Sequence, residues 1–185
     1  GNSQMLVASY NGKVVRFPED TVRPMGRTAT GVRAIKLDED GQDRVIGMIC
    51  VEEGSKESVL VISEKGFGKR TDLDDENGEA IYRITNRGGK GVKTMNLTDK
   101  TGNLIGLEAV TDEQDLMLIT KSGTAIRMAM DTIRVMGRAT QGVKLIELQK
   151  RNDTLMFGCV VPKEEIEEAT EASEATAEDT ITAEE

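Results

Sequence analysis

VRPMGRTATGVRAIKL, residues 22–37, returns as IRVMGRATQGVKLIEL at 133–148 and again as YRITNRGGKGVKTMNL at 82–97. A segment used three times in one chain marks a repeat architecture, and it organises everything around it. Aligned on their second glycine, the copies place Gly31, Gly91 and Gly142 in one column, 60 and 51 residues apart. Upstream of each copy an apolar run, a glycine turn and a second run recur: MLVASYNGKVVRF (5–17), VLVISEKGFGKRT (59–71) and LMLITKSGTAIRM (116–128). Downstream, a further hairpin ends in VIGMICV, LIGLEAV or LMFGCVV. The middle unit is longer, carrying its extra residues in LDDENGEA.

Runs rich in Val, Ile, Leu and Met, separated by turns at Asn11-Gly12, Lys65-Gly66 and Ser122-Gly123, read as strands of hairpins. Further turns fall at Asp40-Gly41 and Thr101-Gly102. Residues 5–162 hold no segment with a helical period, so the expected class is all-β. Each repeat is expected to supply four short antiparallel strands, one blade of a propeller-like array. Three blades fall short of the ~4–8 of a closed ring. Together with the absence of an initiator Met, this reads as a partial ring from a longer chain, with residues 1–4 as tag scar or linker.

The chain has 185 residues and a net charge of -9, but that charge is local. Residues 163–185 contain ten acidic side chains and one basic one, Lys163. Such a segment has too little apolar surface to offset its ordering entropy, and a disordered acidic tail is expected. The remainder carries 23 acidic and 23 basic residues, so the low overall pI does not speak against a polyanionic partner. The chain contains no His, which removes Ser-His-Asp and Cys-His catalysis and His-ligated zinc. Aromatics at 3% argue against a base-stacking surface. Cys50 and Cys159 sit in apolar runs and read as buried, reduced thiols. No run approaches a membrane span.

Few motifs invite chemistry. Asp72, Asp74, Asp75 and Glu76 precede Gly78, but a loop starting at Asp72 puts Gly seventh and Arg83 twelfth, which fails the EF-hand pattern. Arg87-Gly88-Gly89-Lys90-Gly91 is not a Walker A loop. Its glycines would let backbone approach a phosphate, with Arg87 and Lys90 supplying charge. The alternative is a plain glycine turn. Basic residues recur in register: Arg16, Arg70 and Arg127 end the second strand, Arg27, Arg87 and Arg138 open the loop, and Arg33, Lys93 and Lys144 follow its Val. A charge repeated once per blade forms a stripe suited to a curved polyanion. The competing reading, for Arg27, Arg87 and Arg138, is that they tie loops to neighbouring blades.

MGRTATGV, GFGKRT and MGRATQGV, running continuously through 5–162 with an acidic tail behind them, resemble the C-terminal domain of the DNA gyrase A protein in its last three blades. The resemblance implies a β-pinwheel that binds and wraps double-stranded DNA without sequence specificity. That module supports ATP-dependent negative supercoiling by a cytoplasmic bacterial holoenzyme, a heterotetramer of paired gyrase A and gyrase B proteins. The family's strongest wrapping motif, Q-R-R-G-G-K-G, is only echoed here, with Thr85 and Asn86 in place of Gln and the first Arg. Expected phosphate contacts are Arg16, Arg33, Lys69, Arg70, Arg87, Lys90, Lys93, Arg127 and Lys144. No catalytic residue, metal site or cofactor is expected in this chain. ATP and Mg belong to the holoenzyme, and Tyr10 and Tyr82 do not lie in the family's cleavage motif. The corresponding C-terminal domain of topoisomerase IV, or a protein-interaction propeller, are the alternatives.

Overall fold

The computed structural model describes residues 2–148 and 152–163. Its strands are β1 (Ser3–Ser9), β2 (Lys13–Pro18), β3 (Val45–Glu52), β4 (Ser58–Ser63), β5 (Phe67–Asp72), β6 (Val92–Lys93), β7 (Leu104–Val110), β8 (Gln114–Thr120), β9 (Ala125–Ala129), β10 (Val143–Lys144) and β11 (Leu155–Pro162). Single 3-10 turns at Glu19–Thr21 and Met130–Thr132 are the only helices among the described residues. The all-β expectation holds. The first blade begins at Ser3, and Gln4 is buried in it, so these two residues belong to the fold rather than to a linker. The acidic segment from 164 onward lies outside the described residues.

One expectation is corrected. The repeats do not fold as self-contained four-stranded blades. The sheets run β3-β1-β2-β6, β7-β4-β5-β10 and β11-β8-β9, so the fourth strand of the first two comes from the following repeat. Val92 pairs with Val14 and Lys93 with Lys13; in the next sheet Val143 pairs with Gly68 and Lys144 with Phe67. Among the described residues β9 has no such fourth strand, and Val32–Arg33, the same dipeptide of the first repeat, joins no sheet.

The repeated glycine makes the exchange possible. Gly91 and Gly142 adopt φ of 72° and 80°, a conformation open to glycine at little cost. A Cβ on Gly91 would stand 2.5 Å from the Val14 carbonyl oxygen, and one on Gly142 2.7 Å from that of Gly68. Gly31 shares the dihedral, at 85°, but a Cβ there would meet nothing within 4 Å.

Side chains on alternate faces of the strands bury both faces of the second sheet and the facing sides of its two neighbours. Leu6, Ala8, Val14, Ile49 and Val51 of the first sheet face Val59, Val61, Phe67 and Leu107 of the second. Leu60, Ile62 and Val110, on the second sheet's other side, pack against Leu116, Leu118 and Leu155 of the third. Val7, Val15 and Phe17 lie under Ile35 on the outer face of the first. Neither cysteine is deeply buried: Cys50 is exposed and Cys159 intermediate, both free thiols. They stand on β3 and β11, whose outward positions face solvent.

Candidate nucleic-acid interface

In the second and third repeats the loop carrying the motif leaves its blade, crosses the preceding one and returns. Two parallel bridges pin the crossing, Arg16 to Ile84 and Arg70 to Val135. The Thr85 N–H donates to the Arg16 carbonyl at 2.8 Å and the Met136 N–H to the Arg70 carbonyl at 2.8 Å. Buried anchors hold each loop from below: Tyr82, whose hydroxyl meets Thr94 Oγ1 at 2.6 Å, and Ile133.

The nine expected phosphate contacts separate into two groups. Arg16, Lys69 and Arg70 are 5%, 0% and 6% exposed. Arg16 donates from Nε to Gln4 at 2.6 Å and from Nη1 to the carbonyls of Leu73 and Tyr82 and to Asp74. Arg70 donates from Nε to the Ile133 carbonyl at 2.8 Å and pairs through Nη1 with Asp112. Lys69 Nζ donates to the carbonyls of Gly137 and Arg138, both at 2.6 Å, and to Thr140 Oγ1 at 3.1 Å. A phosphate on any of these side chains would have to displace bonds that hold a loop on its blade. Arg127, the third-repeat counterpart of Arg16 and Arg70, is more open, but pairs with Asp115 at 2.7 Å and donates to the Pro162 carbonyl at 2.8 Å.

Burial pushes the Lys69 amine down to about 8, with the Arg138 charge adding to the effect.

The second group is exposed. Lys93 and Lys144 stand on the exchanged strands, Arg87 and Lys90 on the crossing loop that leads into the first of them, and Arg33 on the corresponding loop of the first repeat. Lys144 pairs with Glu147 at 2.7 Å, and Arg87 Nε donates to the Thr21 carbonyl at 3.1 Å. Arg138, its counterpart, donates to the Lys93 carbonyl at 2.8 Å, so both arginines do tie loop to loop. Arg33, Lys90 and Lys93 make no side-chain hydrogen bond or ion pair to described residues. The acidic run at 72–76 has local work: Asp74 pairs with Arg16, and Asp75 Oδ1 accepts the N–H groups of Asn77 and Glu79 at 2.8 Å each.

Sequence reasoning missed a further row. Arg23, Arg83 and Arg134 occupy one repeat column, the last two directly after the buried anchors Tyr82 and Ile133, and all three are exposed with no ion pair among the described residues. The in-register recurrence was present in the sequence as a signal.

The DNA gyrase C-terminal domain, beta-propeller, family model matches residues 4–52, 57–111 and 114–157. The chain is 41% identical over 176 residues to the DNA gyrase A protein of Staphylococcus aureus strain MRSA252, covering 95% of this chain and 19% of that protein. It thus spans about a fifth of the length of the relatives it matches. A solved gyrase A C-terminal domain superposes with a TM-score of 0.73 at 23% identity, over 86% of this chain and 51% of that one. The C-terminal domain of DNA topoisomerase IV gives 0.75 at 19% identity, over 88% and 47%, which speaks for the fold alone. With the sequence match running through all three blades, the chain belongs to the DNA gyrase C-terminal domain family of β-propellers.

Proposed function

We propose that this chain is a double-stranded DNA-binding and wrapping module of the DNA gyrase A protein, which binds without sequence specificity. It works in the bacterial cytoplasm beside the rest of gyrase A and its gyrase B partner, in a holoenzyme that uses ATP and Mg for negative supercoiling. The observation that carries the reading is the set of exposed basic side chains at equivalent positions of the three repeats: Arg33, Lys93 and Lys144, with Arg87 and Lys90 between them. Cations spaced by the fold rather than by local sequence suit the phosphates of a curved duplex, and phosphate contacts carry no base information. The chain itself supplies a surface and no chemistry. The equivalent module of topoisomerase IV, whose C-terminal domain shares this fold, is the second reading.

The test is a titration of mixed-sequence duplex DNA at several salt concentrations. Each phosphate contact contributes about 0.9 to the slope of log K against log salt. Replacing Arg33, Lys93 and Lys144 together by Gln should lower the slope by about two to three units on that basis. A protein-binding propeller would show no DNA affinity that falls with salt, and that result would overturn the proposal.

A further inference from the structure

The chain contains two Asn-Gly pairs, Asn11-Gly12 and Asn77-Gly78, and both close the same kind of turn. The Gly12 N–H donates to the Ser9 carbonyl at 2.9 Å and the Gly78 N–H to that of Asp75 at 2.9 Å, and the two glycines have φ of 80° and 79°. What surrounds them differs. Asn11 is half-buried, and its amide is held by two carboxylates, donating from Nδ2 to Asp40 at 2.7 Å and to Asp38 at 3.2 Å. The first of these bonds in turn holds the Asp40 carboxyl below its ordinary range. Gly12 is buried, and a Cβ on it would stand 2.8 Å from the Leu97 side chain, which closes over it. Asn77 and Gly78 are exposed, in the LDDENGEA stretch that lengthens the middle repeat. The Asn77 backbone N–H donates to Asp75 Oδ1 at 2.8 Å, but its side chain makes no hydrogen bond to described residues. A Cβ on Gly78 would meet nothing within 4 Å. We propose that Asn77-Gly78 is a site of spontaneous deamidation in the folded protein, and that the contacts around Asn11-Gly12 protect it from the same reaction. This stands apart from the DNA-binding reading and needs no partner but water.

The reaction requires a side-chain amide that can turn and a backbone nitrogen after it that solvent can reach. A solvent base removes the Gly78 N–H proton, and the electron pair left on nitrogen forms a bond to Asn77 Cγ. The Cγ–Nδ2 bond breaks, and the amide nitrogen leaves as ammonia with a proton taken from water. Water then opens the five-membered imide at one of its two carbonyls. Breaking the bond between Cγ and the Gly78 nitrogen gives an aspartate. Breaking the bond from the main-chain carbonyl carbon gives an isoaspartate, whose backbone runs through Cβ and Cγ and is one atom longer. Nothing is oxidised or reduced. Glycine leaves the attacking nitrogen uncrowded, because no Cβ stands beside it.

Each difference between the turns acts on one of these requirements. The carboxylates on the Asn11 amide must release it before its carbon can be attacked, and hydrogen bonds to a charged acceptor are the strong ones. The Leu97 side chain keeps base and water from the Gly12 nitrogen. At Asn77 no side chain has to be freed, and a Gly78 N–H leaving the Asp75 carbonyl is met by solvent. The middle-repeat loop is tied at its base, where Asp74 pairs with Arg16 and bridges to Ala80. An aspartate product leaves that base alone and adds a charge to a run that already holds Asp72, Asp74, Asp75 and Glu76. An isoaspartate lengthens the segment that Asp75 Oδ1 clamps through the N–H groups of Asn77 and Glu79, and so loosens the turn.

The whole chain would be kept folded in neutral and in mildly alkaline buffer, with a second sample in concentrated urea. Peptides holding each pair would be followed by mass spectrometry for conversion of amide to acid. Unfolded, the two pairs should convert at similar rates. Folded, Asn77 should convert about tenfold or more faster than Asn11, the ratio expected from a charge-assisted hydrogen bond held at Asn11 alone. Conversion at Asn77 should quicken with pH, since the attacking nitrogen must lose its proton, and Gly78→Ala should slow it. Equal rates at the two pairs in the folded chain would overturn the proposal. An Asn77 that stays intact when folded, while the urea sample converts, would show that its turn protects as well as the first one does, and would overturn it too.

Discussion

The two blade junctions of this molecule share one backbone plan and place their cations oppositely. At the first junction the position beneath the crossing loop is Val15, packed with Phe17 and Ile35, and the loop carries Arg83 and Lys90 on its outside. At the second, the same position is Lys69, whose ammonium reaches up to the loop carbonyls of Gly137 and Arg138. Beside it, Thr71 Oγ1 donates to the Met136 carbonyl at 2.9 Å, where the first junction has Phe17. A loop held from below by polar donors has its carbonyls turned inward. At the first junction Arg16 holds the Leu73 and Tyr82 carbonyls, but the column of Lys69 supplies no donor to the rest of the loop. Within one repeated fold, a lysine can therefore be an internal strut or an outward-facing group, and its column in the repeat decides which.

What the junctions have in common should be the most costly thing to change. Gly91→Ala adds a left-handed penalty of about 1–2 kcal/mol to a forced shift of the first-blade strand costing about 1–3 kcal/mol. Gly31→Ala carries only the first of these, because its Cβ would meet open space. Urea denaturation should show the larger loss at Gly91 and about 1–2 kcal/mol at Gly31. Equal losses at the two positions would mean that strand exchange is not what the glycine serves.

Next in size is Lys69→Met, which keeps the stem and removes the donors. Two loop carbonyls lose their partner at the second junction, for a loss of about 1–3 kcal/mol. The first junction, where Val15 fills that column and Arg16 holds the loop, should be untouched, and hydrogen exchange should localise the loosening to 136–142.

The same lysine gives a pH signature. Its ordinary value is 10.5, and the fold lowers it to about 8. Between those limits the unfolded chain holds a proton that the folded chain has released, so this group makes stability rise with pH across the window. The full difference is of the order of 3 kcal/mol at about 1.36 kcal/mol per unit. Below pH 8 the contribution is flat. Comparing denaturation of wild type and Lys69→Met from pH 7 to 10.5 should show the rise only where Lys69 is present. Parallel curves for the two proteins would show that the amine stays charged throughout.

The hairpins, the turns and the glycine column were legible because they are local and triplicated. The exchange was not, because Val92–Lys93 is too short to show a period of two, and its partner strand is remote in sequence. The buried cations misled for a statistical reason: Lys and Arg are rarely inside unless paired. Yet the alignment held the correction. Lys69 stands where the sister repeats have Val15 and Ile126, a column that is apolar twice in three, and such a column faces inward. The Arg23, Arg83 and Arg134 column was equally visible, recurring in register three residues before Gly26, Asn86 and Gly137. Within RGGK, Arg87 is tied to the Thr21 carbonyl of another repeat, a contact with no local signal in the sequence.

The smallest effect sharpens the comparison most. Gln141→Lys gives the second junction the outer charge of the first, beside Arg134. The cost in stability should be within about 0.5 kcal/mol, since the substitution is on the surface and removes one exposed bond to Thr98. The gain, if outward charge alone makes a phosphate seat, is up to about 0.9 in the salt slope for duplex DNA. Two differences oppose it. The carbonyls of Gly137 and Arg138 are turned down to Lys69, so the loop's shape follows its internal strut. The Arg138 side chain also sits on the Lys93 carbonyl, where Arg87 reaches instead toward Thr21. Gln141→Lys alone should therefore give a smaller gain than Gln141→Lys with Lys69→Val, which frees the loop to adopt the first junction's form. Equal slopes for the single and double variants would show that the internal lysine has no bearing on the outer surface, and that the two junctions differ in charge only.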